Sequence, residues 1–140
     1  MYLPNTIVIG AMKSGTTSLH AYLNKHPQIF MSKKKEIDFF CHHEKYERGI
    51  EYYKSFFLEN VKIRGESSQN YSKFHWWEDV PKRIYNDLGE DMKFIYILRD
   101  PVKRIYSHYN EMQAQNCAPP DLEAYIEKDL EQNEIVLTSC

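Results

Sequence analysis

The chain has 140 residues and a formal net charge of −2, with 42% hydrophobic and 14% aromatic content. That length supports one domain, residues 1–140, with a modest core, and the near-neutral balance provides no overall basic field of the kind that binds nucleic acid. Three cysteines without framework spacing, a start (Met1 to Pro4) running straight into the first strand, and no apolar run near the roughly 20 residues that span a bilayer lead us to expect a soluble, cytoplasmic protein with no membrane span.

Thr6, Ile7, Val8 and Ile9 form a β-branched run that reads as a short buried strand, broken at Gly10. A glycine-bounded loop, 10–15, leads to a helix expected over 19–25, with Leu19, Tyr22 and Leu23 on one face and Pro27 closing it. Residues 28–31 read as a short extended piece, and 32–36 as a polar, lysine-rich loop. A helix is expected over 46–58, where Ile50, Tyr53 and Phe57 fall at helical spacing. A weaker strand follows at 61–65, then a loop at 67–74 and a helix over 76–88 with Pro81 near its start. The run at 93–98, K-F-I-Y-I-L, reads as a strand buried on both faces. Asp100 and Pro101 suit the N-cap and first position of the next helix; Pro119 and Pro120 end that unit, and Asp121 caps a last helix over 122–132.

Strands alternating with helices imply an α/β fold: a parallel sheet with right-handed crossovers. In such sheets ligands sit beyond the carboxyl ends of the strands, so the loops after Ile9, Phe30, Ile63 and Leu98 are expected to meet at one crevice. The first of them is built for an anion. A strand, a glycine-bounded loop and a helix start aim several backbone N–H groups at one point. Lys13 adds a mobile charge, Gly10 and Gly15 allow close approach, and Ser14, Thr16 and Thr17 add hydroxyl donors. The common triphosphatase loop has lysine directly after its second glycine; here Thr16 stands there and the lysine comes earlier. The loop after the 93–98 strand delivers Arg99, whose planar fork suits phosphate.

Lys13-Ser14-Gly15-Thr16-Thr17 after an apolar strand resembles the 5′-phosphosulfate loop of the sulfotransferases that use 3′-phosphoadenosine 5′-phosphosulfate (PAPS). The R-D-P-x-x-R-x-x-S-x-Y pattern from Arg99 to Tyr109 resembles their 3′-phosphate motif, which implies that Arg99 and Ser107 bind the 3′-phosphate. Lys35-Glu36-Ile37-Asp38-Phe39-Phe40 resembles the Lys-Glu-x-x-Phe-Phe stretch of the branch containing heparan-sulfate enzymes and bacterial relatives, where the glutamate is the general base. That role falls here to Glu36, with Lys13 stabilising charge on the bridging and leaving oxygens. Relatives commonly carry histidine where Asp38 stands. Gly65-Glu66-Ser67-Ser68-Gln69-Asn70-Tyr71 resembles a further acceptor-side segment in which Gln69 replaces a proline; Glu66 reads equally as an acceptor-contacting acid or as a partner for a lysine.

The resemblance covers most of residues 5–112 and corresponds to the N-terminal portion of the usual family domain. It implies a three-layer, P-loop-like domain with a central parallel sheet flanked by helices, sulfuryl transfer from PAPS to an acceptor hydroxyl or amine with a carbohydrate as first choice, no required metal, and an apolar surface that favours a homodimer. Two other classes stay open on the residues alone: a nucleotide kinase-like phosphate-loop enzyme, and an inactive nucleotide-binding module. The aromatic run Phe74-His75-Trp76-Trp77 reads as core packing or as an acceptor platform. His20 and His108 read as packing or surface residues, and His26 as a cap for the first helix.

Overall fold

The structure, a computed structural model, describes residues 1–132. Four strands form one parallel sheet in the order β2-β3-β1-β4: β1 is Thr6–Gly10, β2 Ile29–Met31, β3 Ile63–Ser67 and β4 Lys93–Tyr96. β1 lies between β3 and β4, with Val8 opposite Ser67 on one side and Ile95 on the other. Ile7 belongs to the main apolar cluster. Val8 points to the opposite face, as alternate strand residues do, and is equally buried. Both faces of β1 are therefore covered, which gives the layered α/β architecture its centre.

The helices are α1 (Thr16–Leu23), α2 (His43–Tyr46), α3 (Gly49–Lys54), α4 (Val80–Leu88), α5 (Pro101–Ala114) and α6 (Leu122–Gln132). α1 starts earlier than the expected 19–25, directly after Gly15, which stands at φ 96° as its N-cap. The anion loop therefore feeds the helix with no intervening turn. The single helix expected over 46–58 is two short ones, because Gly49 takes φ 79° between them. α4 begins at Val80 rather than at Trp76, with Pro81 in its first turn, where a missing N–H costs nothing. The strand expected at 61–65 is shifted two residues along, to Ile63–Ser67, and the loop after it holds a 3₁₀ turn, Gln69–Ser72. α5 and α6 start as expected: the Asp100 carboxylate accepts from Lys103 N–H at 2.9 Å, and that of Asp121 accepts from Glu123 and Ala124 N–H at 3.0 and 3.2 Å.

One expectation fails outright. The 93–98 segment is not buried on both faces: β4 is a sheet edge, Phe94 is 51% exposed and Leu98 70%. An apolar run reports what a strand is able to bury, and β1 occupies only one of its sides.

The core is aromatic. Phe39 stacks on Tyr53 with ring centroids 4.6 Å apart, Phe40 meets the same ring edge-on at 5.1 Å, and Phe57 follows at 5.2 Å. Phe39, Phe40, Tyr53 and Phe57 are fully buried, so the loop after β2 is tied to the core by two phenylalanines. A Cβ at Gly10 would lie 2.7 Å from the Tyr96 ring and 2.8 Å from Ser72 Oγ, on a backbone at φ 153°. Gly10→Ala is therefore expected to lower stability by about 1–3 kcal/mol, read as a fall in the midpoint of urea denaturation; an unchanged midpoint would contradict this close approach.

Candidate active site

The four strands share one direction, so their carboxyl ends meet on one side of the sheet. The loop after β1 is fastened to the segment after β4: Ala11 N–H donates to Ile97 O at 2.9 Å, and Ile97 N–H to Gly10 O at 2.8 Å. This brings two distant basic residues together. Arg99 Nη1 donates to the backbone oxygen of Lys13 at 3.0 Å across a sequence separation of 86. Lys13 Nζ lies 3.3 Å from Glu111 Oε2 on α5. Ser107 precedes Glu111 by one helical turn and so shares its face, which turns the Ser107 face of α5 toward Lys13.

The residues of the loop itself fit an anionic group. The first N–H groups of α1, from Thr16 onward, have no intrahelical acceptors, and Ser14 Oγ is buried without a hydrogen-bond partner. Lys13 adopts φ 65°, and a Cβ placed on Gly15 would meet nothing within 4 Å. Thr16 is buried, whereas Thr17 is exposed.

A second cluster forms where the loop after β2 docks on the end of β3. Glu36 and Asp38 take φ 55° and 53°. Glu36 N–H donates to Ser67 O at 2.9 Å, Gln69 N–H donates to Glu36 Oε2 at 2.9 Å, and Lys35 Nζ pairs with Glu36 Oε1. The Glu36 side chain remains 28% exposed. Asp38 is buried, and its Oδ2 accepts from Asn70 Nδ2 at 3.1 Å.

Glu66 takes neither of its expected roles, acceptor contact or lysine pairing. It is fully buried, and three hydroxyls donate to it: Tyr53 at 2.5 Å and Tyr71 at 2.9 Å to Oε1, Ser68 at 2.6 Å to Oε2. Burial pushes its carboxyl up to about 7, against the opposing pull of the three donors.

His20, read from the sequence as a packing or surface residue, packs with both ring nitrogens hydrogen-bonded. Its Nε2 lies 3.1 Å from Ser32 O and its Nδ1 2.8 Å from Ser67 Oγ. A carbonyl only accepts, so Nε2 carries the proton and Nδ1 accepts from Ser67. Burial lowers the His20 pKa, in keeping with that neutral ring. His20 thus ties α1 to the ends of β2 and β3, and only its place on the helix behind the anion loop hinted at this. His26 does not cap α1 with its ring; Nδ1 accepts from Gln28 N–H at 3.1 Å, in the turn toward β2. His108 Nδ1 and the Tyr125 hydroxyl are 2.8 Å apart, joining α5 to α6.

The aromatic run divides. Trp77 packs edge-on against His42 at 4.8 Å, while Trp76 is 64% exposed beside a cavity of about 330 Å³ lined also by Phe40, His75 and Arg83. Among the described residues, no three His, Cys, Asp or Glu side chains are grouped to hold a metal ion, and no helix is long and apolar enough to cross a membrane.

Known proteins share this arrangement. The family model described as the sulfotransferase domain matches residues 3–138. The membrane-associated sulfotransferase kil1 of Dictyostelium discoideum is 40% identical over 146 residues, covering 99% of this chain and 30% of that protein. The mouse heparan sulfate glucosamine 3-O-sulfotransferase 5 is 38% identical over 112 residues, covering 79% of this chain and 31% of that protein. The chain thus spans about a third of the length of these curated relatives. A crystal structure of a sulfotransferase from Alicyclobacillus acidocaldarius superposes with a TM-score of 0.78 at 27% identity, covering 94% of this chain and 59% of that one.

Glu66 makes stability depend on pH. Its carboxyl titrates at about 7 in the folded chain against an ordinary 4.5, so between those values the folded state holds a proton that the unfolded state has released. Stability is therefore greatest on the acid side and falls as pH rises through about 7. Across this window the stability of the parent protein, relative to Glu66→Gln, is expected to drop by on the order of 2–4 kcal/mol. Urea melts of both proteins at either end of the window measure it, and a pH-independent difference would refute it.

Proposed function

The chain belongs to the sulfotransferase domain family, and from that premise we propose that it moves a sulfuryl group from PAPS to an acceptor hydroxyl or amine, with Glu36 as general base. The observation that carries this reading is the 3.0 Å contact between Arg99 and the backbone of Lys13. It supports a reading in which the two basic elements grip one nucleotide with anionic groups at both its 5′ and 3′ ends. Lys13, Ser14, Gly15, Thr16 and Thr17 hold its 5′ end through loop N–H groups, hydroxyls and the lysine ammonium; Arg99 and Ser107 take its 3′-phosphate.

The donor supplies an activated sulfur. The protein supplies position and charge. Glu36 removes the proton from the acceptor as the acceptor oxygen or nitrogen bonds to sulfur; the bond from sulfur to the phosphate oxygen breaks, and adenosine 3′,5′-bisphosphate leaves. Lys13 and the N–H groups around it offset the negative charge that gathers on the bridging and leaving oxygens, in a loop whose geometry is set before the donor arrives. Gln69 N–H and Lys35 hold the Glu36 carboxylate in place while leaving it lone pairs for the acceptor proton.

A carbohydrate is the proposed acceptor, supported by relatives named for heparan sulfate. The free thiols of Cys41 and Cys117 suit a cytoplasmic location. Phe94 and Leu98 share one side of the β4 segment and stand exposed with Val102 and Tyr106 of α5, an apolar surface of the kind that supports homodimer formation. Size-exclusion chromatography with light scattering tests that part, and a monomer at all concentrations would refute it.

Binding tests the nucleotide assignment directly. Adenosine 3′,5′-bisphosphate is expected to raise the melting temperature. Lys13→Ala and Arg99→Ala are each expected to weaken its binding by about 1.5–3 kcal/mol, the range for a lost charge-assisted hydrogen bond. Glu36→Ala should keep that affinity and lose turnover. Equal stabilisation by ATP with Mg²⁺ would favour a nucleotide kinase-like enzyme instead, because only the proposed reaction requires the 3′-phosphate.

A further inference from the structure

The segment that carries Glu36 has no regular secondary structure, yet it is docked by single hydrogen bonds on the 65–71 segment. Besides the Glu36 contacts, Asp38 N–H donates to Ser68 Oγ at 3.1 Å and Phe39 N–H to Tyr71 Oη at 3.0 Å. A hydroxyl oxygen is a well-aimed acceptor only when its own proton is committed elsewhere. Here both protons are committed to the same carboxylate, that of Glu66.

We propose that Glu66 is a positioning residue for the transfer reaction: its ionised carboxylate turns the Ser68 and Tyr71 hydroxyls into acceptors for the Asp38 and Phe39 amides, and so fixes the loop from which Glu36 works. This rests on Glu36 being the base.

The two limbs differ. Oε1 accepts from two tyrosines and Oε2 from Ser68 alone. A proton added to Glu66, or the amide nitrogen of a glutamine, therefore settles on the Oε2 side and donates toward Ser68. The Ser68 proton then has to turn away, and its oxygen serves two donors. The Asp38 bond weakens, and the Tyr71–Phe39 limb survives. The titratable groups facing Glu66 are Tyr53 from α3, Tyr71 from the turn after β3, and Asp38 and Cys41 from the docked loop, where burial pushes the Cys41 thiol up to about 12. Burial pushes both tyrosines well above their ordinary range, so neither changes charge near neutrality, whereas Glu66 does.

Residue-resolved amide hydrogen exchange of the full chain tests the proposal without turnover. In Glu66→Gln the Asp38 amide is expected to exchange on the order of tenfold faster, while Phe39 and the β1 amides of Ile7 and Val8 keep their rates. Equal protection of Asp38 in the two proteins would overturn it. In the parent protein, Asp38 protection corrected for intrinsic exchange is expected to fall between about pH 8 and about pH 6 as Glu66 takes up its proton, with Phe39 unaffected. A flat profile overturns the proposal even if Glu66→Gln does not fold. Turnover with PAPS is a separate readout of the proposed reaction, so the two readings can fail independently; where turnover is seen, Glu66→Gln should lower kcat and leave the affinity for adenosine 3′,5′-bisphosphate unchanged.

Discussion

A carboxylate with no solvent exposure, set among aromatic rings, is tolerable only if it is thoroughly hydrogen-bonded, and the architecture around Glu66 meets that demand. Three hydroxyls converge on it, and each belongs to a residue with a second task. The Tyr53 ring stacks on Phe39; Tyr71 and Ser68 receive amides of the docked loop. Side chains that satisfy the buried charge also build the core and shape the loop. Removing the side chain altogether would leave three hydroxyls without their acceptor, which is why the polar centre and the aromatic centre of this domain are one structure.

The two halves of the candidate site are joined through β1 and β3. Val8 pairs with Ser67, and the ladder continues past the strands where Ser68 N–H donates to Val8 O at 3.1 Å. The loop at 10–15 leaves β1 at the level where the loop carrying Glu36 docks on β3. His20 adds a cross-brace: it rides on the helix that begins at the anion loop and bonds to Ser67 and Ser32 on the other side. A shift in either half would strain a ring held at both nitrogens. Preorganisation of this kind is what electrostatic catalysis requires.

The alternation of strands and helices, the glycine-bounded loop between the first strand and helix, and the caps at Asp100 and Asp121 were all legible, because each rests on local chemistry: β-branched runs, glycine positions, and short acids before a helix. What was not legible depends on what lies opposite. The K-F-I-Y-I-L run looks like an interior strand, yet only its neighbours decide that it is an edge. The strand expected at 61–65 extends to Ser67 because its place between β1 and β2 carries Glu66 and Ser67, residues of little strand character, into the sheet. Glu66 reads as an acceptor-contacting acid or a lysine partner because an acid usually meets a ligand or a cation; nothing local says that two tyrosines and a serine surround it. The His20 contacts were unreadable for the same reason, since nothing local marks Ser32 or Ser67 as its partners. Gly49, by contrast, is a readable break within the 46–58 pattern, masked by the apolar spacing on either side of it.

The bond from Arg99 to the Lys13 carbonyl has a bearing on how the molecule is made. A chain emerges from the ribosome with its N-terminus first, so the loop at 10–15 exists long before the arginine that completes the pocket. β1 must wait as well, since β3 and β4, which flank it, are both made later. Contacts so distant along the chain form slowly, and an unfinished copy presents a strand with open edges in the meantime. A pocket that uses both the 10–15 loop and Arg99 can therefore form only after the fourth strand has been made.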